Sequence, residues 1–335
     1  MEDKILLEHG NGGRYTQRLV KNLFQKCFGN HLLNEMHDAA RLTSPGERLA
    51  FTTDSYVITP LVFPGGDIGK LAVCGTVNDL AVSGARPLYL SAGFIIEEGF
   101  SMQKLTEIVA SMAGTAKEAG VKIITGDTKV VPRGSADRLF INTSGIGVIP
   151  PGVDIAGGYA RPGDRIIISG TMGDHGMAVM ASRSEINIMA DIKSDCAPLN
   201  HLIAELLERA PGIRVLRDPT RGGVATTLNE IAVQSGVGIA LDEDSLPVRQ
   251  SVQSACDLLG LEPIYLANEG KFLAVVPKEL VNTAMDVLLR HPRGQEAAVI
   301  GKVVDGLPGK VYLHTVIGGK RLLDVLVTDQ LPRIC

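Results

Sequence analysis

Two hydrophobic periods alternate along the chain, one suited to helices and one to strands. Leu19, Leu23 and Phe24 share one face of a segment near Thr16–Phe28, which predicts a helix. Leu49-Ala50-Phe51-Thr52-Thr53 predicts a strand that ends at Asp54-Ser55. Asp67 to Gly84 reads as a helix of small residues, with Leu71, Cys74, Leu80 and Val82 at apolar positions. Leu88–Ile96 predicts a strand and Met102–Ala119 an amphipathic helix. Val121–Thr125 predicts a short buried strand that stops at Gly126-Asp127-Thr128-Lys129. Apolar residues at 139, 141, 146 and 148 predict another strand over Leu139–Ile149.

Pro150-Pro151-Gly152 and Arg161-Pro162-Gly163-Asp164 then interrupt the pattern, and a domain boundary is expected between them. The second half restarts with strand Arg165–Ser169, a turn over Gly170–Gly176, and a helix. Helices and strands follow at Leu199–Arg209, Val215–Leu216, Val224–Ser235, Ile239–Leu241, Val252–Leu259, Phe272–Val276, Leu280–Leu289, Val299–Val304 and Val311–His314. Both halves read as α/β. Strands separated by helix pairs fit layered α+β domains better than a doubly wound sheet. The expected organisation is residues 1–150, residues 151–325, and a flexible tail over 326–335 that ends in Pro332-Arg333-Ile334-Cys335.

Length agrees with two domains, since 335 residues exceed one ordinary core. A formal net charge of -4 argues against a nucleic-acid partner. Met1-Glu2-Asp3-Lys4 lacks the apolar run of a signal peptide, and no stretch is apolar enough to cross a bilayer. A cytoplasmic protein with no membrane partner is expected. The five cysteines, at 27, 74, 196, 256 and 335, form no Cys-x-x-Cys pair, which argues against a disulfide framework or a structural zinc. Cys27, Cys74, Cys196 and Cys256 read as core thiols. Cys335 differs: it is either an incidental end or a thiol on a tether that can carry a group into a site.

Asp54, Asp79, Asp127 and Asp218 each fall at an expected strand end or loop, in segments that hold Gly, Thr or Asn. Such carboxylates suit Mg²⁺, which takes a few of them together with substrate phosphates. His9-Gly10-Asn11-Gly12-Gly13 and Gly222-Gly223, ahead of a helix, offer backbone N–H groups to phosphate oxygens. Lys129 and Arg14 can add positive charge. Each segment alone also reads as a turn or a helix cap. The Gly-rich segment is not a Walker loop, because no Gly-Lys-Ser/Thr follows.

Together these segments resemble the HypE family of hydrogenase maturation proteins. These are carbamoyl dehydratases of the aminoimidazole ribonucleotide synthetase (PurM-like) superfamily. The resemblance spans essentially the whole chain. It rests on His9-Gly10-Asn11-Gly12-Gly13, Phe51-Thr52-Thr53-Asp54-Ser55-Tyr56, Gly75-Thr76-Val77-Asn78-Asp79-Leu80, Thr125-Gly126-Asp127-Thr128-Lys129, Arg217-Asp218-Pro219-Thr220-Arg221-Gly222-Gly223, Asn268-Glu269-Gly270-Lys271 and, most specifically, the terminal Cys335.

The resemblance implies a two-domain PurM-like fold in which the N-terminal domain pairs with its twin as a β-barrel-like homodimer core. It implies ATP and Mg²⁺, with Asp54, Asp79, Asp127 and Asp218 on the metal and Gly10, Asn11, Gly12, Gly13, Asn78, Thr128, Arg221, Gly222 and Gly223 on the nucleotide. A carbamoyltransferase, HypF, would load Cys335. ATP-driven dehydration would then make a thiocyanate, and a HypC–HypD scaffold would receive the cyanide for the nickel–iron hydrogenase iron. Glu269 is the expected base, with Lys129 or His175 orienting groups or stabilising charge. Two other readings compete. A synthetase or kinase of the same superfamily needs no terminal cysteine, and a non-enzymatic scaffold leaves the acidic loops unexplained.

Overall fold

The computed structural model describes residues 3–10, 14–35, 42–44, 46–183, 191–326 and Ile334. Asn11, Gly12, Gly13 and Cys335 lie outside the described residues.

The chain opens with a helical run of α1 (Arg14–Leu19), a π turn over Val20–Phe24, and α2 (Gln25–Phe28). β1 (Leu49–Tyr56) leads through a small hairpin, β2 (Val62–Phe63) and β3 (Gly66–Asp67), into α3 (Ile68–Val82). β4 (Arg86–Glu97), α4 (Met102–Ala119), β5 (Lys122–Val131) and β6 (Leu139–Val148) complete the first half. Its sheet has the order β1-β6-β4-β5, antiparallel except for the β4/β5 pair.

The second half contains β7 (Arg165–Ile168), α5 (Asp174–Ala181), α6 (Asn200–Arg209), β8 (Val215–Arg217), α7 (Gly223–Ser235) and β9 (Gly238–Asp242). It continues with α8 (Gln250–Leu259), β10 (Leu273–Val276), α9 (Val281–Arg290), β11 (Ala298–Val304), β12 (Val311–His314) and β13 (Lys320–Leu323). Seven strands form one sheet, β13-β12-β9-β11-β7-β10-β8.

Local chemistry sets the helix limits that position the site. The Asp67 carboxylate caps α3 by accepting the Gly69 and Lys70 N–H groups at 2.7 and 3.0 Å. Ser101 caps α4, and Gly120 ends it in the left-handed region at φ 71°. Leu105, Ile108, Val109, Met112, Ala116 and Ala119 form the buried stripe of α4. α3 is buried nearly all round, so it needs small residues. At Gly75 a side chain would strike the Tyr56 hydroxyl. α3 packs on β1, β6 and α4 of its own half and on α6 and β8 of the other. Its last turns therefore sit where the two halves meet.

Three expected boundaries change. β1 runs past its expected end at Asp54-Ser55 to Tyr56, because Ser55 and Tyr56 pair with Asn142 and Ile141 of β6. β5 does not stop at Gly126: Gly126, Asp127, Thr128 and Lys129 pair with Ala92, Gly93, Phe94 and Ile95 of β4. Asp79 lies inside α3 rather than in a loop. Of the four acidic residues, Asp218 alone directly follows a strand.

Candidate active site

The structure divides the expected site residues into two groups. Asp54 from β1, Asn78 and Asp79 from α3, Asp218 after β8, and Glu269 and His175 from the second half converge at the junction of the halves. Asp127, Thr128 and Lys129 lie on β5, at the opposite edge of the four-stranded sheet. Gly10 packs against them, with no room for a side chain beyond the Val130 amide, 2.5 Å from where a Cβ would stand. Ser55, Asn142, Gly93 and Asp127 form one row across the sheet. Three strand spacings separate its ends, about 14 Å. Within one chain Lys129 therefore stays apart from the first group. Its ammonium pairs with Asp127 at 3.4 Å on the surface.

In the first group three carboxylates face one another. The Thr52 hydroxyl donates to Asp79 at 2.9 Å, and the Tyr56 hydroxyl donates to Asp54 at 3.2 Å. Burial raises the Asp79 pKa, and the Asp54 charge adds to it. Burial and then the Asp79 charge push Asp218 up to about 7, against the pull of Arg217. Burial, then Asp54, raises the Tyr56 phenol well above its usual value, so it stays a donor. Among the described residues no three His, Cys, Asp or Glu side chains close a metal site by themselves. An open set of this kind suits a cation that brings phosphate and water ligands with it.

Glu269 is held by its backbone, not by its carboxyl. Its N–H donates to Asp195 Oδ1 at 3.2 Å, and its carbonyl accepts from Asn78 Nδ2 at 3.2 Å. Asn78 also donates to the Ala197 carbonyl and accepts from the Leu199 N–H, so this buried amide is fully used. The Glu269 side chain is buried, and Oε1 has no hydrogen-bond partner. Burial, then the nearby Cys196 and Asp218, raises its pKa well above the usual carboxylate range.

His175 lies at the start of α5, fully buried, with its ring edge-on to Phe63. Its Nε2 stands 2.7 Å from the Ile334 carbonyl oxygen. Ile334 itself is 3% exposed and packs in the apolar core that α3 and α4 share with α5. The tail is thus seated inward at its penultimate residue. Gly222 and Gly223, both left-handed, open α7 directly after Arg221 and Asp218. A side chain at Gly223 would press on the Ile264 and Leu266 carbonyls.

Sequence reasoning did not single out Ser194 or Asp195. They lie in an extended segment with no hydrophobic period and no catalytic motif. Nor did it single out Tyr56, although the motif around Asp54 contains it.

Family models of AIR synthase related proteins match the chain, the N-terminal domain over residues 36–149 and the C-terminal domain over 161–314. The carbamoyl dehydratase HypE of Rhodobacter capsulatus is 51% identical over 100% of this chain and 99% of its own. A crystal structure of hydrogenase maturation protein HypE in complex with ATP superimposes with a TM-score of 0.95 at 52% identity, covering 98% of this chain and 99% of the other. The HypE of a HypE–HypF complex matches with a TM-score of 0.81 at 51% identity, covering 92% and 99%. With its PurM-like two-domain α/β fold, the chain belongs to the HypE family of carbamoyl dehydratases.

Proposed function

We propose that the chain dehydrates an S-carbamoyl group on Cys335 to a thiocyanate, consuming ATP, and so supplies the cyanide ligand of the nickel–iron hydrogenase iron. One observation carries this reading: Ile334, next to Cys335, is seated inward against His175, and the Ser194-Asp195 segment that bonds the His175 ring also bonds the Glu269 backbone. The related HypE–ATP complex supports ATP as the second substrate.

The residues fit magnesium with ATP. Three carboxylates that raise one another's pKa gain when a cation arrives, and Asp54, Asp79 and Asp218 would hold it. Gly222, Gly223 and Arg221 would face phosphate at the start of α7. Bound with magnesium, ATP supplies the phosphoryl group that turns the carboxamide oxygen into phosphate, a good leaving group.

The chain's own residues do the rest. His175 fixes the peptide before the reacting thiol, which holds the carbamoyl group in place for in-line transfer. The carboxamide nitrogen loses one proton as its oxygen is phosphorylated, and the buried Glu269 carboxylate takes the second as the C–O bond breaks, phosphate leaves and the C≡N bond forms. Its raised basicity and free Oε1 support that role.

The other edge of the four-stranded sheet enters through a second copy. Phe51 is 70% exposed, and Leu49 and Ile95 are also uncovered on the face of the sheet away from α3. An apolar face of this kind calls for a partner. A homodimer pairing through it would bring Asp127, Thr128 and Lys129 of one chain toward Asp54 of the other. HypF fits as the carbamoyl donor, since a related HypE has been solved with it. A HypC–HypD complex fits as the cyanide acceptor.

Mass spectrometry of the C-terminal peptide tests the reading. With HypF, a carbamoyl donor and Mg-ATP, Cys335 should gain a carbamoyl group and then lose one water. Glu269→Gln and Lys129→Ala should stop at the carbamoyl form. Conversion at wild-type rate in either variant removes that residue from the mechanism, and the absence of any thiocyanate on the wild-type protein removes the function.

A further inference from the structure

One short segment, Ser194-Asp195, touches both the seat of the tail and the backbone of Glu269. A carbonyl oxygen can only accept, so the hydrogen shared by His175 and Ile334 sits on Nε2. In a neutral imidazole Nδ1 must then be the acceptor. Ser194 Oγ lies 2.8 Å from Nδ1 and donates to it. The same oxygen accepts the Cys196 N–H at 3.0 Å, which turns the hydroxyl hydrogen toward the ring. Burial lowers the His175 pKa, in keeping with the neutral ring.

Ser194 is itself fixed from the N-terminal half. Its N–H donates to the Pro64 carbonyl at 2.8 Å. Gly65 approaches so closely that a Cβ there would lie 2.7 Å from the Ser194 carbonyl oxygen. One residue on, the Asp195 side chain is buried, 2% exposed, with Lys271 Nζ 3.5 Å away. It accepts the N–H groups of Glu269 at 3.2 Å and Gly270 at 3.1 Å. Gly270 has no room for a side chain, because the Asp195 carbonyl occupies that space.

We propose that Ser194 and Asp195 are positioning residues that tie the seating of the tail to the placement of Glu269. Ser194 holds His175 in the tautomer that offers Nε2–H to the tail, and Asp195 holds the peptide that carries the Glu269 carboxyl. Three hydrogen bonds and one planar peptide link Ile334 to Glu269 through this segment, and a fourth bond holds Gly270. A serine-for-alanine change would leave a neutral imidazole free to exchange tautomers, and in the other tautomer two lone pairs face each other at the tail. The inference rests on the dehydratase reading for the role of Glu269, but not for the tautomer or the seat.

Three readouts on the full-length protein test it. Nitrogen NMR of the His175 ring should report a single Nε2–H tautomer in the wild type and a mixture in Ser194→Ala. Alkylation of Cys335 by iodoacetamide, followed on its peptide by mass spectrometry, should be about twofold faster in Ser194→Ala, since losing one hydrogen bond lowers the occupancy ratio about tenfold and empties a seat that is about half filled. Ser194→Thr, which keeps the hydroxyl, should restore both. Asp195→Asn turns an amide N–H₂ against a backbone N–H. It should slow conversion of carbamoyl to thiocyanate at least tenfold while leaving Cys335 alkylation at the wild-type rate. Asp195→Glu, which keeps the charge and displaces the carboxylate, should do the same and serves if the asparagine variant does not fold. A single tautomer and wild-type alkylation in Ser194→Ala overturn the Ser194 half. Wild-type conversion in a folded Asp195 variant overturns the other half. If the wild-type protein makes no thiocyanate, the dehydratase reading falls, and the tautomer and alkylation results still decide Ser194.

Discussion

Replacing Asp218 by asparagine should stabilise the ligand-free protein and cripple it toward Mg-ATP. Asp218 titrates near 7 in the folded chain against a reference of 3.8, a difference of about three pKa units. At about 1.4 kcal/mol per unit, the ceiling on the cost of ionising it at pH 8 is about 4 kcal/mol. The residue keeps partial solvent access, so screening reduces this to about 2 kcal/mol. The sign follows from a folded-state pKa that is raised. The native state is favoured below about pH 4, and that advantage is lost as pH rises toward 7. Asparagine removes the loss. The midpoint of thermal unfolding should therefore rise by about 4–8 °C at pH 8 and by almost nothing at pH 4. Wild-type protein should gain about 2.7 kcal/mol at a hundredfold excess of Mg-ATP over its Kd, and the variant should gain little. Differential scanning calorimetry at the two pH values, with and without Mg-ATP, reads all of this. A stability gain equal at pH 4 and pH 8, or full Mg-ATP stabilisation of Asp218→Asn, would refute the picture of a charge-crowded cation site.

Mixing inactive Asp54→Asn and Lys129→Ala proteins under exchange conditions should restore thiocyanate formation in part, because one of the two sites in the mixed dimer is then intact. No recovery, with heterodimers verified by native mass spectrometry, would mean that both residues are needed on one chain, against a site shared across the dimer. Gly270→Ala should cost about 3 kcal/mol or more, since its Cβ meets the Asp195 backbone and neither side can yield cheaply. Unfolding by urea would show an undiminished midpoint if that backbone is free to shift. Ile334→Asp should expel the tail with little change in global stability, leave carbamoyl loading of Cys335 intact, and abolish its dehydration. Loading and dehydration that fall together would instead place Ile334 in the encounter with HypF.

How much was legible in the sequence depends on what each element owes to its own residues. α4 was read with its observed ends because an amphipathic stripe, a Ser cap and a following Gly all agree. β5 was cut short because Gly126-Asp127 looks like a turn, and only the neighbouring β4 keeps it extended. β13 was missed because Lys320-Arg321 gives an edge strand a polar start. Asp54, Asp79, Asp218 and Glu269 stand out as acidic residues in segments that hold Gly, Thr or Asn, yet their grouping needs the register of β1 and the packing of α3 on β8. The separation of Lys129 from them follows from strand order, which no local pattern encodes. Ser194 and Asp195 act through single hydrogen bonds in a segment with no period, so their roles become visible only once the fold is in place.

The seat of Ile334 is modest by construction. Burying one isoleucine contributes about 2 kcal/mol, and one hydrogen bond to its carbonyl about 1 kcal/mol. A free peptide held this way would bind only in the range of several millimolar. A tethered one meets its seat at a local concentration of the same millimolar order. Occupied and vacant seats are then nearly balanced, with neither state a trap. Such a balance lets one enzyme molecule visit a donor, a nucleotide site and an acceptor in turn, and it lets any partner that grips a single side chain of the tail decide which visit comes next.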